Sequence, residues 1–109
     1  MIDTIQTRRE QTEAILAEVC AKHGVTREAL VSVSHLRKIV HARQEAMHRL
    51  YAERTHLSLP QIGELLGGRH HATVLWGIEA HAARLRGERT AHGGSGRRFT
   101  AAHDLRRAA

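Results

Sequence analysis

Along this chain of 109 residues, apolar positions recur three and four apart, the spacing of a helix face rather than of a strand. From Ile5 to His23, Ile15, Leu16 and Val19 fall at i, i+1 and i+4 with Ala14 beside them, which predicts one amphipathic helix. Asp3 or Thr4 can cap its start and Gly24 can stop it. Thr26 can cap a short second helix around Arg27–Leu30; the β-branched and hydroxyl run Val31-Ser-Val-Ser34 then breaks the pattern and reads as a loop. From about Leu36 to Arg54 the apolar set is Ile39, Val40, Ala46, Met47, Leu50 and Tyr51. That spacing leaves Arg37, Lys38, His41, Gln44, Glu45 and His48 on a basic, polar outer face.

Helix punctuation is clearest in the next stretch. Ser58-Leu-Pro-Gln61 has the form of a capping box, with Ser58 as N-cap, Pro60 in the first turn and Gln61 reaching back. A short helix is expected to about Leu66, burying Ile62, Leu65 and Leu66, and Gly67-Gly68 ends it. A further amphipathic helix carries Val74, Leu75, Ile78, Ala82 and Leu85. Past Arg86, Gly93-Gly-Ser-Gly96 and the loss of any periodic apolar set make residues 87–109 a flexible basic tail, with a short helix around Thr100–Arg107. The expectation is a small all-α domain, within the size range of a single core.

Charge then narrows the partner. Seventeen Lys+Arg against eleven Asp+Glu give +6, and fifteen of the seventeen are arginine, whose planar fork suits phosphate and guanine edges. Residues 1–30 carry four bases against five acids, residues 31–90 nine against five, and residues 91–109 four against one, so the basic surface begins after residue 30. Trp76, Tyr51 and Phe99 are the whole aromatic inventory, too little for single-strand binding by successive base stacking, so duplex DNA is the better polyanion. A lone Cys20 makes no internal disulfide and fits a reducing cytoplasm. No apolar run approaches the roughly 18–20 residues of a membrane span.

A short helix, a glycine turn and a second helix opening with small polar residues have the layout of a helix-turn-helix. His71, Ala72 and Thr73 place a donor/acceptor, a methyl and a hydroxyl where base edges would lie, and Arg69 stands before them for a phosphate. An ordinary helical hairpin with a solvated polar end has the same spacing. What separates the two is a resemblance carried by Leu59-Pro-Gln-Ile-Gly-Glu-Leu-Leu-Gly-Gly-Arg-His-His-Ala-Thr-Val74 and, upstream, by Ile39-Val-His-Ala-Arg-Gln-Glu-Ala-Met47. Both strings, in this order, resemble the C-terminal DNA-binding domain of the bacterial chromosomal replication initiator DnaA, over roughly residues 15–86. Residues 1–14, the N-terminal part of the first helix, fall outside it.

The resemblance implies a Trp-repressor-like helical fold with a helix-turn-helix. It implies that Arg43 and Gln44 contact the DNA backbone from the basic helix, that His71, Ala72 and Thr73 open the recognition helix, and that Arg69 braces the turn and a phosphate. Three departures bear on base preference. His70 stands where the family usually has aspartate, and a neutral histidine is a poorer cap than a carboxylate but can donate to guanine. Ala72 replaces a family hydroxyl. Where the family usually carries a basic run entering the minor groove, Ser34-His-Leu-Arg37 leaves only His35 or Arg37, with Lys38 next to them.

No phosphate-binding Gly-x-x-x-x-Gly-Lys-Ser/Thr loop is present, so the expectation is a small stand-alone protein with the DNA-reading module and no ATPase. No enzyme, cofactor or metal is expected: Cys20-x-x-His23, His70-His71 and the trio His41, His48, His56 do not complete a tetrahedral site. These histidines are instead expected to gain charge below about pH 6.5 and strengthen polyanion binding. Trp76, two residues past Val74, falls between the core stripe and the DNA-facing side; core filling is the leading expectation, and contact with DNA or protein is the alternative. The functional expectation is sequence-specific binding of double-stranded DNA by a monomer or weak dimer in the cytoplasm, as a transcription regulator or initiator-box factor. The rival is a protein-interaction adaptor that contacts RNA polymerase or replication proteins through the first helix or through Arg97, Arg98 and Arg106, Arg107 of the tail.

Overall fold

The computed structural model describes residues 4–87, with side chains from residue 7 onward. The expected Asp3 cap, the tail arginine pairs and the short helix expected around Thr100–Arg107 lie outside the described residues. Among the described residues five helices follow in order: α1 Thr4–His23, α2 Arg27–Leu30, α3 Arg37–Glu53, α4 Leu59–Leu65 and α5 His71–Leu85.

The helix starts follow local chemistry. Thr26 Oγ1 accepts from the Ala29 amide at 3.0 Å and opens α2. At α4 the capping box is complete: Ser58 Oγ accepts from the Gln61 amide at 3.3 Å, and Gln61 Oε1 accepts from the Ser58 amide at 2.8 Å. Helix α3 lies at the centre and packs against all four others, α5 and α1 most extensively. Its Ala42, Ala46, Met47 and Leu50 meet Leu16 and Val19 of α1, Leu30 of α2, Ile62 of α4, Leu66 beyond it, and Val74 and Ile78 of α5 in one core. Burying nine large side chains there stabilises the fold by roughly 1.5–3 kcal/mol each, before conformational entropy is subtracted.

This central position corrects the expected outer face of α3. Arg37 and Lys38 are exposed, but Glu45 is buried and His41, Gln44 and His48 are half-buried. Glu45 accepts from Lys22 Nζ at 3.1 Å and from His23 Nε2 at 2.8 Å, so the end of α1 covers it. The His48 ring meets His81 of α5 edge-on, with centroids 4.8 Å apart. Amphipathic spacing marked the apolar side of α3; it did not show that α1 and α5 close over part of the polar side. Among the described residues, no helix is long and apolar enough to cross a membrane.

Candidate nucleic-acid interface

The turn between α4 and α5 is wound around one carbonyl. Gly63 O accepts from the amides of Leu66, Gly68 and Arg69 at 3.1, 2.9 and 2.9 Å. A Cβ on Gly63 would collide with the Arg69 carbonyl oxygen, so the chain returns this closely only over glycine. Gly67 has φ +94°, and a Cβ there would run into the carbonyl oxygen of Val31. The turn is thus pressed against the loop that precedes α3. Arg69 fastens the two: its guanidinium donates to Leu66 O within the turn, and its Nη2 donates to Ser32 O in the loop at 2.6 Å.

The same loop is gripped from the other side by Arg43. Its Nε donates to Leu30 O at 2.9 Å, Nη1 to Ser34 O at 3.2 Å and Nη2 to Ser32 O at 3.0 Å. With 5% of its surface exposed, Arg43 does not stand on an open face as a phosphate contact would. Burial, and then the nearby charge of Arg69, lower its pKa from the ordinary guanidinium value. The expected backbone contact is therefore a strut, because three backbone carbonyls with no helical partner absorb its donors. Gln44 is likewise half-buried, its Cγ beside Gly77 of α5 and its Oε1 without a hydrogen-bond partner among the described residues. The loop leaves His35 and Leu36 outside, followed by exposed Arg37 and Lys38.

Helix α5 opens on a histidine cap. His70 has extended backbone (φ −65°, ψ 149°) and its Nδ1 accepts from the Ala72 amide at 3.1 Å. His70 thus caps the helix itself, in place of the family's carboxylate: an imidazole with its hydrogen on Nε2 offers Nδ1 to the helix and keeps an outward donor. The His71 ring lies 4.1 Å from that of His70, centroid to centroid. His71 and Thr73 are exposed and Ala72 is half-buried, while Val74 is fully buried. The turn therefore holds its predicted residues Arg69, His70, His71, Ala72 and Thr73 in one run. Ser32 brings that run to the loop and to Arg37 and Lys38; Arg43 supports the assembly from beneath.

Trp76 corrects another expectation. It is 45% exposed rather than filling the core, as its place between the core stripe and the outward side of α5 allows.

Charge is separated across the domain. Segments 29–44 and 65–78, the two that meet at Ser32, contain no Asp or Glu, and hold Arg37, Lys38, Arg43 and Arg69. Acids are instead paired along α1 and the C-terminal half of α3: Glu13 with Arg27, and Glu18 and Glu53 with Arg49. Burial alone would raise the Glu45 carboxyl, but hydrogen bonds from His23 and Lys22 hold it below the usual carboxylate value. Burial pushes down His41 and His48, two of the histidines expected to gain charge below about pH 6.5, and pushes His81 down to about 4, which moves their protonation to lower pH than a free imidazole's. Cys20 belongs to the core and His23 is held by Glu45.

Comparison with known proteins places these features in a family. The profile described as bacterial dnaA protein helix-turn-helix matches residues 12–80, the span from the middle of α1 to α5. The chromosomal replication initiator protein DnaA of Roseiflexus castenholzii is 43% identical over 94 residues, covering 81% of this chain and 19% of that protein. The DnaA of Gloeobacter violaceus is 48% identical over 75 residues, or 68% of this chain and 17% of its own length. That of Chloroflexus aggregans is 44% identical over 78 residues, or 72% and 16%. The chain therefore spans less than a fifth of the length of these relatives. No solved structure matches it. With the capped α4, the glycine turn and the outward start of α5 all inside the matched span, the chain belongs to the bacterial DnaA-protein helix-turn-helix family, a DNA-binding domain.

Proposed function

We propose that this chain is a sequence-specific binder of double-stranded DNA on the nucleoid, reading a short asymmetric site as a transcription regulator or initiator-box factor, without ATP-driven assembly. The observation that carries the reading is the hydrogen bond from Arg69 to Ser32 O, which joins two acid-free segments into one surface. A duplex needs such a surface: backbone charge is met by cations, and base edges by short polar and methyl groups at a helix start.

In this reading His71, Ala72 and Thr73 face base edges in the major groove, and the outward Nε2–H of His70 meets a guanine acceptor. Arg37 and Lys38 take phosphates, with His35 beside them. Gln44 adds a backbone contact. Arg43 and Arg69 hold the frame and lend their positive potential to it. A single chain suffices, since one recognition helix reads one short site.

Selection from random duplexes followed by mobility shift tests this. The full chain is expected to enrich one short, non-palindromic motif, and Thr73→Ala to relax it at one position. Lys38→Ala should weaken all sequences alike and flatten the salt slope by about 0.9. Failure to enrich any motif overturns the proposal and leaves the adaptor reading in its place.

A further inference from the structure

Trp76 has no place in the hydrophobic core, nor among the partly buried apolar residues packed against it, although Val74 and Ile78 on either side are fully buried. At helical spacing Thr73, Trp76 and Ala80 succeed one another at i, i+3 and i+7 along the side of α5 turned from those two. Thr73 and Ala80 are small, so the indole stands proud of the stripe. Isolated exposed apolar residues are common on protein surfaces. This one is distinguished by position: it is one helical step beyond the exposed start of α5, within the acid-free segment 65–78.

We infer that Trp76 is a further specificity-determining residue of the DNA-binding surface, its indole lying against a thymine methyl one base pair beyond that faced by Thr73. The inference rests on the duplex-binding reading above. Three residues of helix advance about 4.5 Å, close to the spacing of roughly 3.4 Å between successive base pairs. The C5 methyl of thymine is the apolar feature a major groove offers to a flat hydrocarbon ring. Charge complementarity favours a duplex over an acidic or neutral protein face, since no carboxylate lies between Glu64 and Glu79 in the sequence while Arg37 and Lys38 are exposed across the Ser32 junction.

The experiment uses the full chain with duplexes selected by the parent protein. Trp76→Ala, an outward position, should retain the parent's helical circular dichroism, keep the rest of the motif and lose its thymine preference at one flanking position; Trp76→Phe should keep it. Replacing that thymine by uracil removes only the methyl and should weaken the parent about fourfold while leaving Trp76→Ala unchanged. Trp76 is the sole tryptophan, so its fluorescence should become protected from acrylamide on the selected duplex. If the parent enriches no motif, the duplex reading and this inference fall together. If the parent enriches one and Trp76→Ala selects the same motif with equal affinity, or the bound indole stays as quenchable as the free one, this inference alone is overturned. Loss of self-association in Trp76→Ala with selection intact overturns it in favour of a second copy of the chain.

Discussion

Arg43 of α3 and Arg69 of the turn donate to one carbonyl, that of Ser32, at 3.0 and 2.6 Å. Two guanidinium groups converge on it although their charges repel, and burial lowers the pKa of each. What they gain is connection: the loop before α3 and the turn before α5 are otherwise separate surface segments, and Ser32 O makes them one. The spatial relation between the basic start of α3 and the opening of α5 depends on that oxygen.

Removing the deeper strut should therefore cost stability before it costs affinity. Arg43→Ala is expected to destabilise the fold by about 2–3 kcal/mol in urea unfolding, because charge-assisted bonds are lost and buried carbonyls are left unpaired. Arg43→Lys should not rescue it, since an ammonium cannot fork to several carbonyls. On the duplex reading, Arg43→Ala weakens binding with the salt slope unchanged, in contrast to Lys38→Ala. An unaltered urea midpoint in Arg43→Ala would rule out the strut.

The two glycines of the turn should respond unequally. Both have positive φ, but a Cβ on Gly67 meets the Val31 carbonyl and one on Gly68 meets open space. Gly68→Ala should cost about 1 kcal/mol from backbone strain alone, and Gly67→Ala clearly more, because the loop must also move. Equal melting temperatures for the two variants would contradict the contact.

At the start of α5 the cap is a neutral imidazole. His70→Ala should lower stability by about 0.5–2 kcal/mol, whereas His70→Asp should match or exceed the parent, a carboxylate being both a cap and a partner for the helix dipole. The same His70→Asp change should alter selection at a single base pair. Thermal melts and repeated site selection check the two halves of the prediction separately; a stable His70→Ala would remove the cap from the account.

Acid should act through the histidine pair between α3 and α5. His81 is pushed down to about 4, first by burial and then by His48, which burial also lowers. Both are favoured neutral in the fold, so the unfolded chain takes up their protons first. Stability is then complete above about pH 6.5 and declines toward pH 4, with a slope of at most about 1.4 kcal/mol per pH unit for each proton. Glu45, held below its usual value, adds its own loss only below about pH 4.5. Melting temperatures across pH 4.5–7.5 should fall less steeply in His81→Gln; an identical decline would show that the pair does not carry the effect.

Local chemistry made the elements legible. The capping box at Ser58, the Thr26 cap and the bonds to Gly63 O in the turn after α4 are interactions between residues at most six apart, and the structure places the helices within a residue or two of where they are expected. The helix-turn-helix strings were equally readable, because they lie contiguous in the chain. Side-chain destinations were not. Glu45 occupies a position whose spacing indicates an outer face and whose neighbours close it in, and the DNA contact that the resemblance implies for Arg43 contains no sign of the loop carbonyls that take its donors.

The helices, the caps at Thr26 and Ser58, the order that makes a helix-turn-helix and the concentration of positive charge after residue 30 are written in the chain. That Arg43 and Arg69 converge on Ser32, that the end of α1 covers Glu45 and that Trp76 stands outside the core come from how the helices pack. The reason is geometric. A periodic pattern tells which side of a helix is apolar, but a helix at the centre of a small domain is covered on more than one side. Which polar groups are then closed in depends on partners dozens of residues away, such as Ser32 and Arg69, whose meeting no local rule contains.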